Sequence, residues 1–137
     1  MSELALVDER FSIGEIARAA HETVRGYCAG IDDPDLPAWS DAPEWMTGSA
    51  IDGVIFHGAN PKAGAEASHE HWCKGKLAAG WQWGPAKDVE RRLHPCLVSW
   101  AGLPAAQRVK DELFVAVVRG LLGQAKHNLV DIAEVGD

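Results

Sequence analysis

Apolar residues recur at helical spacing in the first well-patterned stretch of the chain, residues 12–30. Ser12 and Glu15 stand at its start with the spacing of a capping box, in which each side chain accepts a backbone N–H from the other residue. Apolar positions then follow three or four residues apart, at Ile13, Ile16, Ala17, Ala20, Val24 and Tyr27. Gly30 is a suitable stop. The pattern predicts an N-terminal helix over about residues 13–29.

Two further helices are predicted in the middle of the chain. The first begins at Asp41, which can act as its N-cap because Glu44 lies at capping-box distance, and it ends before Asn60-Pro61. The second runs over about residues 63–79, with Gly80 placed as its C-terminal cap.

The clearest helical pattern and two strand-like segments lie in the last third of the chain. Between residues 103 and 123 one stripe is apolar, formed by Val109, Leu113, Val117 and Leu121. This stripe suits the core and equally a contact between copies, so a homo-oligomer stays open. The segments WQW at 81–83 and CLVSW at 96–100 alternate in the manner of strands. The predicted fold class is mainly α with a small β-hairpin (α+β).

Composition and charge exclude several classes of partner. The 137 residues suffice for a single domain over 1–137, and no apolar run approaches the ~20 residues of a membrane span. The N-terminal residues show no basic region followed by an apolar one, so a cytoplasmic location is expected. A net charge of −7 argues against binding to DNA or RNA polymers, which relies on neutralising phosphates with Lys and Arg.

Residues 68–84, SHEHWCKGKLAAGWQWG, combine histidine, cysteine and tryptophan, and three kinds of site compete for them. A metal site is disfavoured because His69, His71 and Cys73 are two apart, about 200° on a helix, and face away from one another. The standard ligand pairs CxxC and HxxxH are missing, and no cofactor is expected. Whether His69, Cys73, His94 and Cys96 bind a metal ion stays open. A nucleophile built from Cys96 and His94 is disfavoured because a cysteine in an apolar run is more often a small buried hydrophobe. We therefore expect no enzyme.

A pocket for a flat, charged ligand is the third kind of site. Tryptophans precede Lys87, Arg91 and His94, which would set a stacking surface beside positive charge. That pairing suits a base with a phosphate, because base–aromatic stacking is worth ~1–3 kcal/mol and Arg or Lys can hold phosphate oxygens. The alternative is that Trp72 and Trp81 are core residues and the charges form a solvated rim.

Six short motifs follow one another in a specific order: HExW at 69–72, GWQWG at 80–84, KD at 87–88, HPCLV at 94–98, LP at 103–104 and KD at 110–111. Their succession resembles the ryanodine-receptor (RyR) repeat domain over about residues 43–122. The longer layout resembles the small stand-alone version found in bacteriophages and bacteria. Trp83 departs from the pattern, since the family usually has Tyr there; the change keeps a stacking face and loses a hydroxyl.

The resemblance implies a helical domain with a small β-hairpin, preceded by the helix at about 13–29 and followed by a tail over 124–137. Receptor repeats of this family resemble adenine-nucleotide-binding modules and are not known as enzymes. We expect a stand-alone copy to bind a small nucleotide-like ligand and sequester it. The ligand would be a cyclic nucleotide or an ADP-ribose derivative, and the protein a phage counter-defence sponge in the host cytoplasm. A protein-interaction or virion-associated module, and a hydrolase that depends on His69 or His94, are the alternatives.

Seven residues form the predicted ligand site: Trp83, Lys87, Arg91, His94, His69, His21 and Arg25. The tryptophan stacks on a base, Lys87 and Arg91 face phosphate, and His94 donates a hydrogen bond. The pair from the first helix, His21 and Arg25, completes the pocket in the same or a neighbouring subunit, or else is an exposed pair on the polar face. Trp72 and Trp81 are expected to be structural.

Overall fold

The computed structural model describes residues 11–33 and 36–123, and within them it has four α-helices, two short strands and two 3-10 helices. The α-helices are α1 (Ile13–Gly30), α2 (Glu44–Ala59), α3 (Ala65–Ala78) and α4 (Ala105–Leu121). The strands are β1 (Gln82–Trp83) and β2 (Leu93–His94), and the 3-10 helices are Trp39–Asp41 and Trp100–Gly102. The predicted tail, 124–137, lies outside the described residues. None of the described helices is long and apolar enough to cross a membrane.

The predicted first helix is confirmed, together with the interaction that starts it. The Ser12 hydroxyl accepts from the Glu15 N–H at 3.0 Å, and the Glu15 carboxylate accepts from the Ser12 N–H at 2.8 Å. Both bonds satisfy donors that the first turn of a helix leaves without an intrahelical partner.

The expected N-cap of α2 is wrong. Asp41 closes the 3-10 helix Trp39–Asp41, and Pro43 is the N-cap residue, with no side-chain cap bond. The physical reason is that Ala42 precedes a proline and is held extended, at φ −73° and ψ 137°, so the helix cannot begin at Asp41. The predicted end before Asn60 is confirmed, because α2 stops at Ala59.

The end of α3 follows the glycine signal in its sequence. Gly80 has φ 91°, a backbone conformation that favours glycine, and its N–H donates to the Leu77 carbonyl at 3.1 Å. The next N–H, that of Trp81, reaches back to the Lys76 carbonyl at 2.9 Å. This pair of bonds is the Schellman arrangement, and it folds Trp81 back beside the last turn of α3.

The fold class, mainly α with a small β element, is confirmed, but the hairpin and the strand at 96–100 are wrong. β1 and β2 pair in parallel, with Gln82 opposite Leu93 and Trp83 opposite His94. Leu93 also forms an antiparallel bridge with Asp88, so the chain reverses its direction between Asp88 and Leu93, just before β2. This reversal takes place at Arg92, whose φ is 56°.

A side-chain bond explains why no strand forms at 96–100. The Cys96 N–H donates to Nδ1 of His94 at 3.0 Å, which turns the chain directly after β2 and takes this donor away from any sheet. The following residues lead into the 3-10 helix Trp100–Gly102.

The core lies where α1, α2 and α4 meet. Its fully buried members are all small or β-branched: Ile16, Ala17, Ala20, Val54 and Val118. The stripe predicted on the last helix is only half buried, and its most buried residues are Val115 and Val118 instead. The reason is that α4 contacts all three other helices, so no single stripe of it faces the core.

Gly84 gives a test of how tightly the β element is packed. A Cβ at this position would lie 2.7 Å from the Cβ of Leu93, whereas a Cβ at Gly58 in α2 would meet nothing within 4 Å. We expect Gly84→Ala to lower the free energy of unfolding by about 2 kcal/mol, because the two strands must move apart. Gly58→Ala is the control and should leave stability unchanged or raise it by roughly 0.5–1 kcal/mol. Equal unfolding midpoints in urea for both variants would contradict this packing.

Candidate functional site

A cavity of about 480 Å³ lies among α1, α3, β2 and the first half of α4. Its lining mixes apolar walls with titratable groups, which are Asp33, His69, Lys87, His94, Cys96, Lys110 and Asp111. A neighbouring cavity of about 220 Å³ extends toward α2 and shares five lining residues with the larger one: Val24, Leu36, Trp72, Lys110 and Asp111. Two apolar residues, one indole and two charged residues of α4 therefore face both spaces.

An ion pair joins the end of α1 to α4 at the mouth of the larger cavity. The Lys110 ammonium donates to the Asp33 carboxylate at 2.8 Å, and the Gln107 amide lies 3.5 Å from the same oxygen. The bond from Lys110 lowers the pKa of Asp33. Burial is the largest single effect and lowers the pKa of Lys110, but the bond to Asp33, the charge of Asp33 and the nearby cysteines together raise the pKa of the ammonium overall. Both groups are therefore charged at neutral pH and hold each other.

Three side chains on α3 and α4 line up like a catalytic triad. His69 is buried, its Nε2 lies 3.4 Å from the Cys73 thiol, and its Nδ1 lies 3.7 Å from the Asp111 carboxyl. However, Nε2 is 2.7 Å from the Val98 carbonyl, which can only accept, so the ring nitrogen near Cys73 carries its proton and cannot act as a base. Burial raises the pKa of Cys73 to about 11, with Asp111 adding to the effect. This row of residues therefore holds a thiol rather than an activated thiolate.

Asp111 is the most perturbed acid that faces the cavities. Burial raises its pKa to about 7, Glu112 adds to the rise, and Lys110 partly offsets it. Near neutral pH a large fraction of this side chain is therefore a neutral carboxylic acid.

Lys76 lies behind the larger cavity in an aromatic cage. Its ammonium is 4.5 Å from the ring centroid of Trp45 and 5.2 Å from that of Trp81, which the end of α3 folds back toward it. Lys87, which does line the cavity, lies 5.7 Å from the same Trp45 ring. Burial, together with a smaller contribution from the charge of Lys87, lowers the pKa of Lys76 to about 8. The contacts with the indoles only partly replace the water that this ammonium loses.

The family model of the RyR domain matches residues 61–123. The chain contains an RyR domain. The match spans α3, both strands and α4, whereas the resemblance read from the motifs extends to about residue 43. α1 and α2 lie outside the matched residues and pack against them.

Four of the seven predicted site residues line a cavity of the RyR domain or its border with α1. Lys87, His94 and His69 line the larger cavity, and His21 lines the smaller one. His21 is buried rather than exposed, and its Nε2 lies 2.7 Å from the Pro37 carbonyl.

The other three predicted residues line neither cavity. Trp83 stands on β1 with 55% of its surface exposed. Arg91 is exposed and 3.8 Å from Asp88, and Arg25 is exposed and paired with Glu22 at 2.9 Å. Trp72, expected to be structural, is the indole that faces both spaces.

The site residues that the sequence analysis did not select lie on α4 and at the end of α1. Gln107, Lys110 and Asp111 have i, i+3, i+4 spacing and so share one helix face, and Asp33 joins them across the fold. A polar helix face is typical of solvent exposure, so spacing alone did not reveal it. In the described parts of the chain, no three His, Cys, Asp or Glu residues are grouped so that they could hold a metal ion.

The buried ammonium of Lys76 allows a test of how the free energy of unfolding depends on pH. Because the pKa of Lys76 is about 8 in the folded protein and its ordinary value is 10.5, its charge opposes folding fully below pH 8, and this effect fades as pH rises toward 10.5. We expect Lys76→Met to raise the free energy of unfolding at pH 7 by about 1–2 kcal/mol, the relief of burial less the lost cation–π contacts.

The control is Lys74→Met, since Lys74 is exposed on the same helix. Thermal unfolding at pH 7 and pH 10 measures both variants. A gain for Lys76→Met that is equally large at both pH values, or shared by Lys74→Met, would contradict the buried charge.

Proposed function

We propose that this protein binds a nucleotide-derived signal, a cyclic nucleotide or an ADP-ribose derivative, and sequesters it without converting it. The observation that carries the proposal is the cavity of about 480 Å³ with an indole on its wall and basic side chains around it. This volume lies within the range of small-molecule sites, and the mixture of apolar wall and few polar groups is typical of them.

Trp72 supplies the surface for a base. Its ring is held from two sides, by His69 with ring centroids 5.8 Å apart and by the edge of His94 at 4.9 Å. A held indole loses little freedom when a base stacks on it, and such stacking is worth ~1–3 kcal/mol per base. We assign the stacking role to Trp72, because Trp72 lines both cavities and Trp83 lines neither.

Lys87 and His94 supply the groups of the cavity that would bind the ligand's phosphate. Lys110 also faces the cavity, but its ammonium is held by Asp33 at 2.8 Å. No ion pair engages Lys87 within residues 11–33 and 36–123. Nδ1 of His94 accepts from the Cys96 N–H, so a neutral His94 ring carries its proton on Nε2. A lysine and an imidazole N–H can hold phosphate oxygens through charge-assisted hydrogen bonds.

Sequestration is proposed rather than turnover because the arrangement of Cys73, His69 and Asp111 lacks an activated nucleophile. The proposed setting, a phage protein that removes a host defence signal in the cytoplasm, rests on the resemblance to stand-alone RyR domains.

The test is a panel of cyclic dinucleotides, cyclic ADP-ribose isomers and ATP, with the melting temperature followed as a function of ligand concentration. A ligand of this site should raise the melting temperature with concentration and be recovered unchanged by chromatography. Lys87→Gln should weaken binding at least tenfold through loss of the charge at the phosphate, and Lys74→Gln, on the exposed face of α3, should not. A converted ligand would make the protein an enzyme.

A protein-interaction module is the second candidate. Large apolar side chains beside the β element are exposed: Leu77 by 57%, Trp83 by 55% and Val89 by 50%. Apolar surface of this kind is typical of partner contacts when it is contiguous. The absence of any shift with the whole panel would favour this candidate over the nucleotide site.

A further inference from the structure

Two lysine ammonium groups lie over the ring of Trp45, at the start of α2. Nζ of Lys76, from α3, is 4.5 Å from the centroid of this ring, and Nζ of Lys87, from the segment between the strands, is 5.7 Å from it. Lys76 is only 7% exposed, so water screens this pair of like charges poorly. The arrangement is unfavourable unless a negative charge joins it.

No carboxylate of the described residues supplies that negative charge. Neither lysine forms an ion pair in this part of the chain. Asp33 lines the same cavity as Lys87, but it accepts from Lys110 at 2.8 Å. Asp88, the next residue along the chain, pairs with Arg91 at 3.8 Å. A counter-charge for the two lysines therefore has to come from a ligand.

The ammonium of Lys76 has unused hydrogen-bond donors. It carries three N–H groups, and no atom of residues 11–33 and 36–123 accepts a hydrogen bond from them. The rings of Trp45 and Trp81 attract the positive charge through their faces, which leaves these donors for another partner. Buried polar groups are nearly always hydrogen-bonded, so this side chain, more than nine-tenths buried, indicates a ligand position.

The number of charges decides which class of ligand fits. A phosphate dianion balances two ammonium groups, whereas a carboxylate balances one. Its oxygens also accept several charge-assisted hydrogen bonds at once, and lysine binds phosphate as a compact point charge. Trp45 is 36% exposed and Lys87 lines the larger cavity, so solvent reaches both sides of the arrangement.

We propose that Lys76 and Lys87 together bind one dianionic phosphate group beside the Trp45 ring. This site goes beyond the proposed function. It shares Lys87 with the nucleotide site, but Lys76 and Trp45 line neither cavity, and the phosphate group needs no base to be bound here.

The first test measures the affinity for inorganic phosphate at pH 7.5 by NMR titration. Loss of one charge-assisted contact should weaken binding roughly tenfold or more in Lys76→Met and in Lys87→Gln. Lys74→Met is the matched control, since Lys74 is exposed on the same helix, and it should bind phosphate as the native chain does. Lys76→Met is expected to be more stable than the native chain at pH 7, so a loss of binding in this variant cannot be a loss of folding.

The second test follows the proton on Lys76 through its 13Cε resonance, which is assigned by its disappearance in Lys76→Met. In the free protein the pKa of Lys76 is lowered to about 8 by burial and by the charge of Lys87. Phosphate binds the charged form, so a saturating concentration should move the titration midpoint upward by roughly one pH unit or more. The midpoint of Lys74 should not move.

The outcomes separate this site from the proposed function. An unchanged Lys76 midpoint at saturating phosphate, or a loss of affinity in only one of the two lysine variants, would overturn the paired site. Either result would leave nucleotide binding in the larger cavity standing, since the melting-temperature panel tests it independently. Phosphate binding that depends on both lysines, with no member of that panel bound, would support the site and contradict the proposed function.

Discussion

The close approach of the first and last helices is the contact on which the rest of the structure depends. Ala17 and Ala20 of α1 are fully buried in one cluster with Val118 of α4. Side chains of this size let the two backbones come near each other, and larger ones would hold the helices apart. The approach brings the end of α1 to the polar half of α4, where Asp33 and Lys110 bond at 2.8 Å. Without it the larger cavity would have no wall on this side.

The same packing removes two ionisable groups from water, and within residues 11–33 and 36–123 no Asp or Glu forms an ion pair with Lys76 and no Lys or Arg forms one with Asp111. Lys76 lies against two indole rings, and the Asp111 carboxyl lies 3.7 Å from Nδ1 of His69. The pKa of each group shifts in favour of its neutral form, because burial destabilises the charged form more than these neighbours stabilise it. Asp111 lines both cavities, whereas Lys76 lines neither and is connected to the larger one only through the Trp45 ring, which Lys87 also faces.

Local signals in the sequence predicted local structure well. The capping box of Ser12 and Glu15 located the start of α1, and Gly80 located the end of α3, because each acts through bonds within a few residues. The strand predicted at 81–83 contains β1, but the second strand and the hairpin were mispredicted, because the turn at Arg92 and the His94 side chain set the position and direction of β2 and neither leaves a pattern of alternation. In the site, Lys87 and His94 were selected because they follow a cluster of tryptophans. Asp111 was not selected, since its burial depends on helices far away in the sequence.

The larger cavity is assembled from two sources. His69, Trp72 and Lys87 belong to the segment that matches the RyR domain, whereas Val24 and Asp33 come from outside it. The matched segment thus supplies the indole and the cationic side chains of the cavity. α1 and the residues that follow it, which the family motifs do not include, supply another part of its wall. Two proteins can therefore share every motif of this domain and still differ in the shape and charge of this cavity, because residues outside the matched segment form part of its wall.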